Sequence, residues 1–254
     1  MSRELRPGLT IILPCYNAGP YLEDTLRQLA ELFEAHADLE LLVVDDGSRE
    51  GDPASRIVEG HLAEPPFQNR IRCITHPENR GKGAAIMSGL AAVTTTLACY
   101  TDADLAYSPG NFQTMRECVV EGTMVIANRV DRESTYLIHP HYFRYIASRH
   151  LASRLLNLIV SMILIPGARD VQAGLKMAHT GDFLRCVKKS TRLRFSFDTE
   201  LLFIAMLQGI RIHPVPVRYR YLSEASTVNF LLDSLRMARD VLLIRVNGWL
   251  GRYS

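Results

Sequence analysis

The sequence predicts an α/β domain: a mostly parallel central sheet flanked by helices on both faces. Two observations carry this. Residues 1–128 alternate apolar runs ending near Leu13, Val44, Thr75, Thr101 and Ala127 with helix starts near Gly19, Gly51, Gly83 and Pro109. Three of the apolar runs also end in clusters of polar residues, which in open α/β sheets mark one cleft outside the carboxyl ends of the strands. No internal repeat, low-complexity tract or Pro/Gly-rich linker interrupts the chain. The expected organisation is therefore a domain over residues 1–228 and a helical extension over 229–254.

The first strand, Leu9–Leu13, runs into Pro14-Cys15-Tyr16-Asn17. The second, Leu39–Val44, runs into Asp45-Asp46-Gly47-Ser48, where Asp46 suits the hydroxyls or base of a nucleotide because a carboxylate accepts hydrogen bonds. Asp45 and Asp46 serve equally as helix-capping and turn residues. Arg70–Thr75 leads to Glu78-Asn79-Arg80-Gly81-Lys82-Gly83 and a helix to about Val93, a helix start that favours an anion. That loop is not G-x-x-x-x-G-K-[ST], and no G-x-G-x-x-G follows the first strand. Walker-type ATPase and Rossmann dehydrogenase readings both lose ground.

The fourth run, Leu97–Thr101, ends in Asp102-Ala103-Asp104. If the strand continues, its period of two puts both carboxylates on one side, an arrangement that suits Mg²⁺ bridging carboxylates to phosphate oxygens. Thr123–Ala127 then delivers Asn128-Arg129 to the same edge. Beyond Asp131 the chain turns helical. Tyr142–Ile165 is rich in apolar residues, but its stretch Leu155–Ile165 falls short of the roughly 20 residues that span a bilayer. Arg144 and Ser148 would share one face of that helix. Asp198 and Glu200 adjoin the helix Thr199–Gln208, where either could simply favour its N-terminus. His76 and His213 read as structural.

In the last helix, Asn229–Leu250, the residues Leu231, Leu235, Ala238, Leu242, Val246 and Trp249 form an apolar stripe. Asp233, Arg236, Asp240 and Asn247 lie opposite, with Arg239, Arg245 and Arg252 nearby. Two placements stay open: lying on anionic lipid, or packing on the domain or a partner chain.

Charge is divided. The net of +2 hides about −8 over residues 1–128 and about +10 over the rest, as a metal-handling half followed by an anion-meeting half would require. No nucleic-acid motif accompanies the basic half, so nucleic acid is not an expected partner. Five cysteines without a C-x-x-C pair read as reduced thiols, and polar Met1–Gly8 gives no signal-peptide expectation.

In order and spacing, Leu9–Asn17, Val43–Ser48, Asn79–Gly83 and Ala98–Leu105 resemble the nucleotide-sugar domain of family 2 glycosyltransferases. Asn128-Arg129, Arg144 with Ser148, Asp170–Lys176 and Phe197–Glu200 extend the resemblance to the branch making polyprenyl-phosphate sugars, the dolichyl-phosphate glucosyltransferases and dolichol-phosphate mannose synthases. The resemblance implies a glycosyltransferase A-type fold and inverting transfer of glucose or mannose from a UDP- or GDP-linked sugar to a polyprenyl phosphate. It implies Mg²⁺ or Mn²⁺ held by Asp102 and Asp104, and donor contacts from Pro14, Tyr16, Asn17, Asp46, Asn79, Lys82 and Asp102. Asp170 joins Asp102 and Asp104 as a catalytic candidate, orienting a sugar hydroxyl or acting as base. Arg129, Arg144 and Ser148 take the acceptor phosphate.

A lipid acceptor implies peripheral attachment at the cytoplasmic face of a membrane, with homo-oligomerisation left open. The chain departs from the family at Ala18, at Ala106, which follows the glucose-type pattern, and at Ala225-Ser226-Thr227. There a phosphate-binding lysine is missing and Arg218 and Arg220 are the substitutes at hand. Two alternatives remain: a hydroxyl acceptor on a saccharide or protein, with Asp170, Asp198 or Glu200 as base, and a degenerate nucleotide-binding scaffold.

Overall fold

A computed structural model describes residues 4–49, 51, 54–63, 65–137, 160–167, 170–220 and 230–253; Arg144, Ser148, Thr227 and most of the Tyr142–Ile165 segment lie outside them. In chain order the elements are β1 (Arg6–Cys15), α1 (Gly19–Ala35), β2 (Leu39–Asp45), α2 (Ala54–His61), β3 (Ile71–Thr75), α3 (Lys82–Ala92), β4 (Thr95–Tyr100), α4 (Gly110–Cys118) and β5 (Thr123–Asn128). Then come β6 (Thr135–Leu137), β7 (Lys176–His179), α5 (Thr180–Val187), α6 (Phe197–Leu207), β8 (Arg211–Pro216), β9 (Arg218–Arg220) and α7 (Phe230–Trp249).

Seven strands form one sheet in the order β3-β2-β1-β4-β7-β5-β8. All neighbours are parallel except β7, which runs antiparallel to both β4 and β5. The central strands β1, β2, β4 and β5 are largely apolar because both faces of the sheet are covered. Ile12, Leu42 and Val44 point into a core shared with Ile86 and Leu90 of α3, Phe183 of α5, Leu202 of α6 and Ile244 of α7. Their neighbours Ile11, Leu13, Leu41 and Val43 point the other way, onto Leu22 and Phe33 of α1, Val58 of α2 and Phe112 of α4. This alternation is the period of two written into an unbroken hydrophobic run.

Strand order reverses at β1. The chain leaves β1 for β2 and β3 on one side, then returns to place β4 on the other. The carboxyl ends of β1 and β4 therefore flank the crevice where ligands bind in sheets of this kind. The edge is pinned by the Asp46 amide donating to Cys15 O (2.8 Å) and the Thr101 amide donating to Ile12 O (3.1 Å).

Three features differ from the sequence reading. Strand β4 ends at Tyr100, so Asp102 and Asp104 lie in the following turn, and strand alternation does not orient them. The four-residue β7 was not foreseen, nor was the short parallel ribbon β6–β9, which pairs Tyr136 with Tyr219. Helix α7 does pack on the domain, but with its polar side: Asp240 and Asn247 point inward beside Val241 and Ile244, while Leu242, Val246 and Trp249 of the expected stripe are exposed.

Candidate active site

The site begins where β4 stops. The Leu105 amide donates to Asp102 O (3.1 Å), and Leu105 takes a left-handed backbone with φ of 43°. From α1, Thr25 Oγ1 donates to Ala103 O (2.6 Å), fixing the middle of the D-x-D turn. Asp104 accepts from the Ala106 amide (3.3 Å). Burial and the neighbouring Asp102 carboxylate push the Asp104 carboxyl up to about 6. Two crowded hard-oxygen donors of like charge suit a divalent cation, which would relieve their repulsion. Among the described residues no cluster of three or more His, Cys, Asp or Glu side chains is poised to hold a metal.

Lys82, the first residue of α3, donates to Asp102 Oδ1 at 2.6 Å and lies 3.8 Å from Asp198 Oδ2. Burial alone would lower its pKa, but the Asp102 and Asp198 carboxylates more than offset that and hold the ammonium well above its ordinary value. The α3 N-terminus itself is covered by protein, not open to an anion. The Ala84 amide donates to Leu193 O (3.1 Å), and a Cβ on Gly81, whose φ is 103°, would lie 2.5 Å from that same oxygen. Lys82 is thus the group this loop offers the cleft.

At the carboxyl end of β1, Asn17 takes a φ of 51°, its amide donating to Ser48 Oγ (2.8 Å) and its Oδ1 accepting from the Arg49 amide (3.0 Å). Tyr16 is exposed beside it, and Pro14 and Asn79 are half-buried. Asp46 is more constrained than a simple nucleotide contact requires. Its carboxylate accepts from the amides of Arg80 (3.0 Å) and Gly81 (2.7 Å) and pairs with His76 Nδ1 (2.7 Å), whose Nε2 meets Ser88 Oγ (2.9 Å). Asp46 ties β2 to the loop carrying Asn79 and Lys82. Asp45 does the turn-forming work, accepting from the amides of Ser48 and Ala54.

Across the crevice, Arg129 leaves β5 and grips buried Asp170. Its backbone amide, Nε and Nη2 donate at 2.8, 2.9 and 2.8 Å. The guanidinium lies over the Tyr219 ring, 5.6 Å from its centroid, and the Tyr219 ring packs edge-on against Tyr107. Tyr107 Oη accepts from the Gly174 amide (3.0 Å). Tyr107 and Tyr219 were not anticipated; Tyr107 lies three residues beyond Asp104, and Tyr219 sits between the two arginines named as phosphate substitutes. In β9, the Arg220 amide donates to Ala106 O (2.7 Å), which sets that strand against the D-x-D turn.

Behind the turn lies a buried charge network. Asp198 accepts from Lys176 Nζ (2.6 Å) and Tyr100 Oη (2.7 Å). Burial would raise its pKa, but Lys176 and Lys82 hold it below the usual range. Glu200 accepts from the Thr191 amide and hydroxyl, the Arg192 amide and Tyr253 Oη, each at 2.7 Å. Neither carboxylate simply favours a helix end, as one sequence reading had it. His213 lies within β8, paired in register with Val125.

Comparison with known proteins follows the same geometry. The family model described as glycosyl transferase family 2 matches residues 10–167. The dolichyl-phosphate beta-glucosyltransferase of Dictyostelium discoideum is 25% identical over 96% of this chain and 75% of its own length. The Homo sapiens protein of the same name is 26% identical over 94% and 75%. Among solved structures, glucosyl-3-phosphoglycerate synthase from Mycobacterium tuberculosis in complex with Mn²⁺ and uridine-diphosphate-glucose superposes with a TM-score of 0.65 at 18% identity, covering 94% of this chain and 79% of that one. That likeness bears on fold alone, a glycosyltransferase A-type sheet. The family match spans most of the chain, including the D-x-D turn, and on that ground the protein belongs to glycosyl transferase family 2.

Proposed function

We propose that this protein is a hexosyltransferase that moves glucose from UDP-glucose to a polyprenyl phosphate of the dolichyl type, with inversion at the anomeric carbon. One observation carries the choice of acceptor. Asp170, Asp198 and Glu200, the carboxylates that could serve as base for a hydroxyl, are each buried and engaged by at least two donors within the protein. A hydroxyl nucleophile needs a free base. A phosphate monoester does not: its second pKa is about 6, so it arrives largely as a dianion.

The acceptor oxygen attacks C1 from the side opposite the diphosphate. The new C1–O bond forms as the bond to the diphosphate breaks, and the nucleoside diphosphate leaves with the electron pair. Asp102 and Asp104 would hold Mg²⁺ or Mn²⁺, which supplies positive charge to the leaving diphosphate. Lys82 adds a second cation on the same side. Arg129, oriented by Asp170, presents charge to the incoming phosphate, and Arg144 with Ser148 joins it on the strength of the sequence pattern. Asp170 then acts on the acceptor through Arg129, as a positioning residue. The preference for glucose and uridine follows the dolichyl-phosphate beta-glucosyltransferases and Ala106. Residues 1–228 form the catalytic domain in this reading and 229–254 its extension, at the cytoplasmic face of a membrane.

A panel of UDP-glucose and GDP-mannose against a polyprenyl phosphate and the matching polyprenol tests the reading. Transfer from UDP-glucose to the phosphate alone is expected. Transfer to the polyprenol would return the hydroxyl-acceptor reading, and binding of UDP without any transfer would return the scaffold.

A further inference from the structure

A surface helix normally buries one apolar stripe and exposes its polar residues. Helix α7 buries Val241 and Ile244 together with polar side chains, and leaves a second apolar row exposed. Asp240 accepts from Arg192 Nη1 (3.1 Å) and Ser196 Oγ (2.6 Å), and buried Asn247 bonds Tyr253 Oη (3.3 Å) and Arg252 Nη1 (3.0 Å). Val241 and Ile244 complete the inward side. The outward side carries Leu242 at 58% exposure, Val246 at 42%, Trp249 at 72% and, just beyond the helix, Leu250 at 64%. Leu242, Val246 and Trp249 follow one another at four and three residues, so they form one continuous apolar ridge.

The ridge is bordered by one sign of charge. Between residues 236 and 253 the sequence has four arginines, Arg236, Arg239, Arg245 and Arg252, against a single acidic residue, Asp240, which is turned inward. Arg245 lies over the Trp249 ring at 5.1 Å from its centroid. A second copy of the chain is a poor occupant, since a two-fold contact sets a patch against itself and would bring arginines onto arginines. An anionic lipid surface takes both features at once, with apolar side chains and the indole entering the headgroup boundary while arginines meet lipid phosphates. The inward side of the same helix also touches the loop that carries Asp170. Met237 Sδ lies 3.6 Å from Gln172 Nε2, two residues from Asp170.

We infer that the outward ridge of α7, Leu242, Val246, Trp249 and Leu250 with its bordering arginines, docks on a membrane containing anionic lipid. This rests on the lipid-phosphate reading for its purpose, but its test does not.

Trp249 is the chain's single tryptophan, so its emission reports the ridge directly. The full chain is titrated with vesicles of phosphatidylcholine alone and of phosphatidylcholine with phosphatidylserine, with sedimentation measured in parallel. The expected result is a blue shift and sedimentation only with phosphatidylserine, weakened in about 1 M salt, where the screening length falls to about 3 Å. Leu242→Ser/Val246→Ser, which keeps the tryptophan, should lower the partition coefficient about a hundredfold. Arg239→Gln/Arg245→Gln should remove the phosphatidylserine dependence, and Val120→Ser, an exposed apolar site elsewhere, should change nothing.

Vesicle binding without a blue shift overturns the inference, as does binding untouched by the serine pair. A concentration-dependent blue shift without vesicles, with a dimer mass by light scattering, assigns the ridge to a second copy and also overturns it. Transfer to a water-soluble short-chain polyprenyl phosphate, measured without vesicles, separates the two readings. If that transfer proceeds and docking fails, only the ridge is reassigned. If docking succeeds and no polyprenyl phosphate is glycosylated, the proposed function falls while the ridge stands.

Discussion

Gly174 and Asp102 are in contact across the crevice. A Cβ built on Gly174 would lie 2.0 Å from Asp102 Oδ2, well inside any real carbon–oxygen contact. The loop carrying Asp170 thus abuts the turn carrying the Asp102 and Asp104 carboxylates, and the Gly174 amide is fixed there by Tyr107 Oη. The D-x-D turn and the Asp170 loop touch at this point, so a change in one is felt by the other.

Gly174→Ala should displace the Asp102 carboxylate without unfolding the protein, because Asp102 is only half-buried and can move away. We expect a stability loss of about 1–3 kcal/mol, the usual cost of overpacking. Calorimetry with UDP and Mn²⁺ should register weaker donor binding. Wild-type affinity for UDP with Mn²⁺ would mean that the Asp102 position in the free protein is not the one used in binding.

Asp104→Asn should abolish transfer, by about a thousandfold, while leaving the metal-free protein at least as stable as wild type. The reason is the same repulsion that suits the pair to a cation. Removing one charge relieves it, but leaves a single carboxylate to hold a diphosphate-bound metal. Thermal melting with and without UDP and Mn²⁺ checks both halves. The variant should lose the ligand-induced rise in Tm and keep the ligand-free Tm.

The sequence placed the strands because Leu9–Leu13 and Leu39–Val44 are apolar at every position or nearly so, and the structure buries both faces of each. Helix starts at Gly19, Lys82 and Gly110 fell within a residue of their expected places; α2, expected near Gly51, begins at Ala54. What stayed hidden was non-local. Strand β7 opens on Lys176, whose buried partner Asp198 lies 22 positions later. Asp170 read as orienting a sugar hydroxyl or acting as base, and its bond to Arg129, 41 positions earlier, was not legible. In α7 the residues sharing a stripe were legible, but which side meets the protein depends on Arg192 and Ser196, far from Asp240 in sequence.

Asp170→Asn discriminates between base and positioning residue. An amide keeps the shape but cannot hold the guanidinium through two charge-assisted bonds. A positioning role predicts a KM for lipid phosphate raised about tenfold, a kcat retained in large part, and unchanged UDP affinity. A base would instead lose kcat and show a pH profile that flattens in the variant. Arg129→Lys should resemble Asp170→Asn, since a point charge cannot reproduce the planar fork.

The network behind the D-x-D turn offers the sharpest separation of stability from function. Lys176→Met leaves Asp198 buried beside Tyr100 with Lys82 as its remaining cation, at 3.8 Å. Breaking a buried pair from one side costs about 3–5 kcal/mol, and Lys82 should be drawn from Asp102 towards Asp198. Donor affinity should fall with stability. The pH dependence has a definite sign. Asp198 is held below its ordinary 3.8, so its contribution is present above that value and is lost as pH falls through the lower folded-state pKa. Urea unfolding of wild type should therefore weaken on acidification below about pH 4, and Asp198→Asn should flatten that part of the curve. The double variant Lys176→Met/Asp198→Leu removes both charges and should recover most of the lost stability. If its activity stays low, Asp198 serves transfer by holding Lys82 in place against Asp102. If activity returns with stability, the pair is structural and Lys82 needs only Asp102.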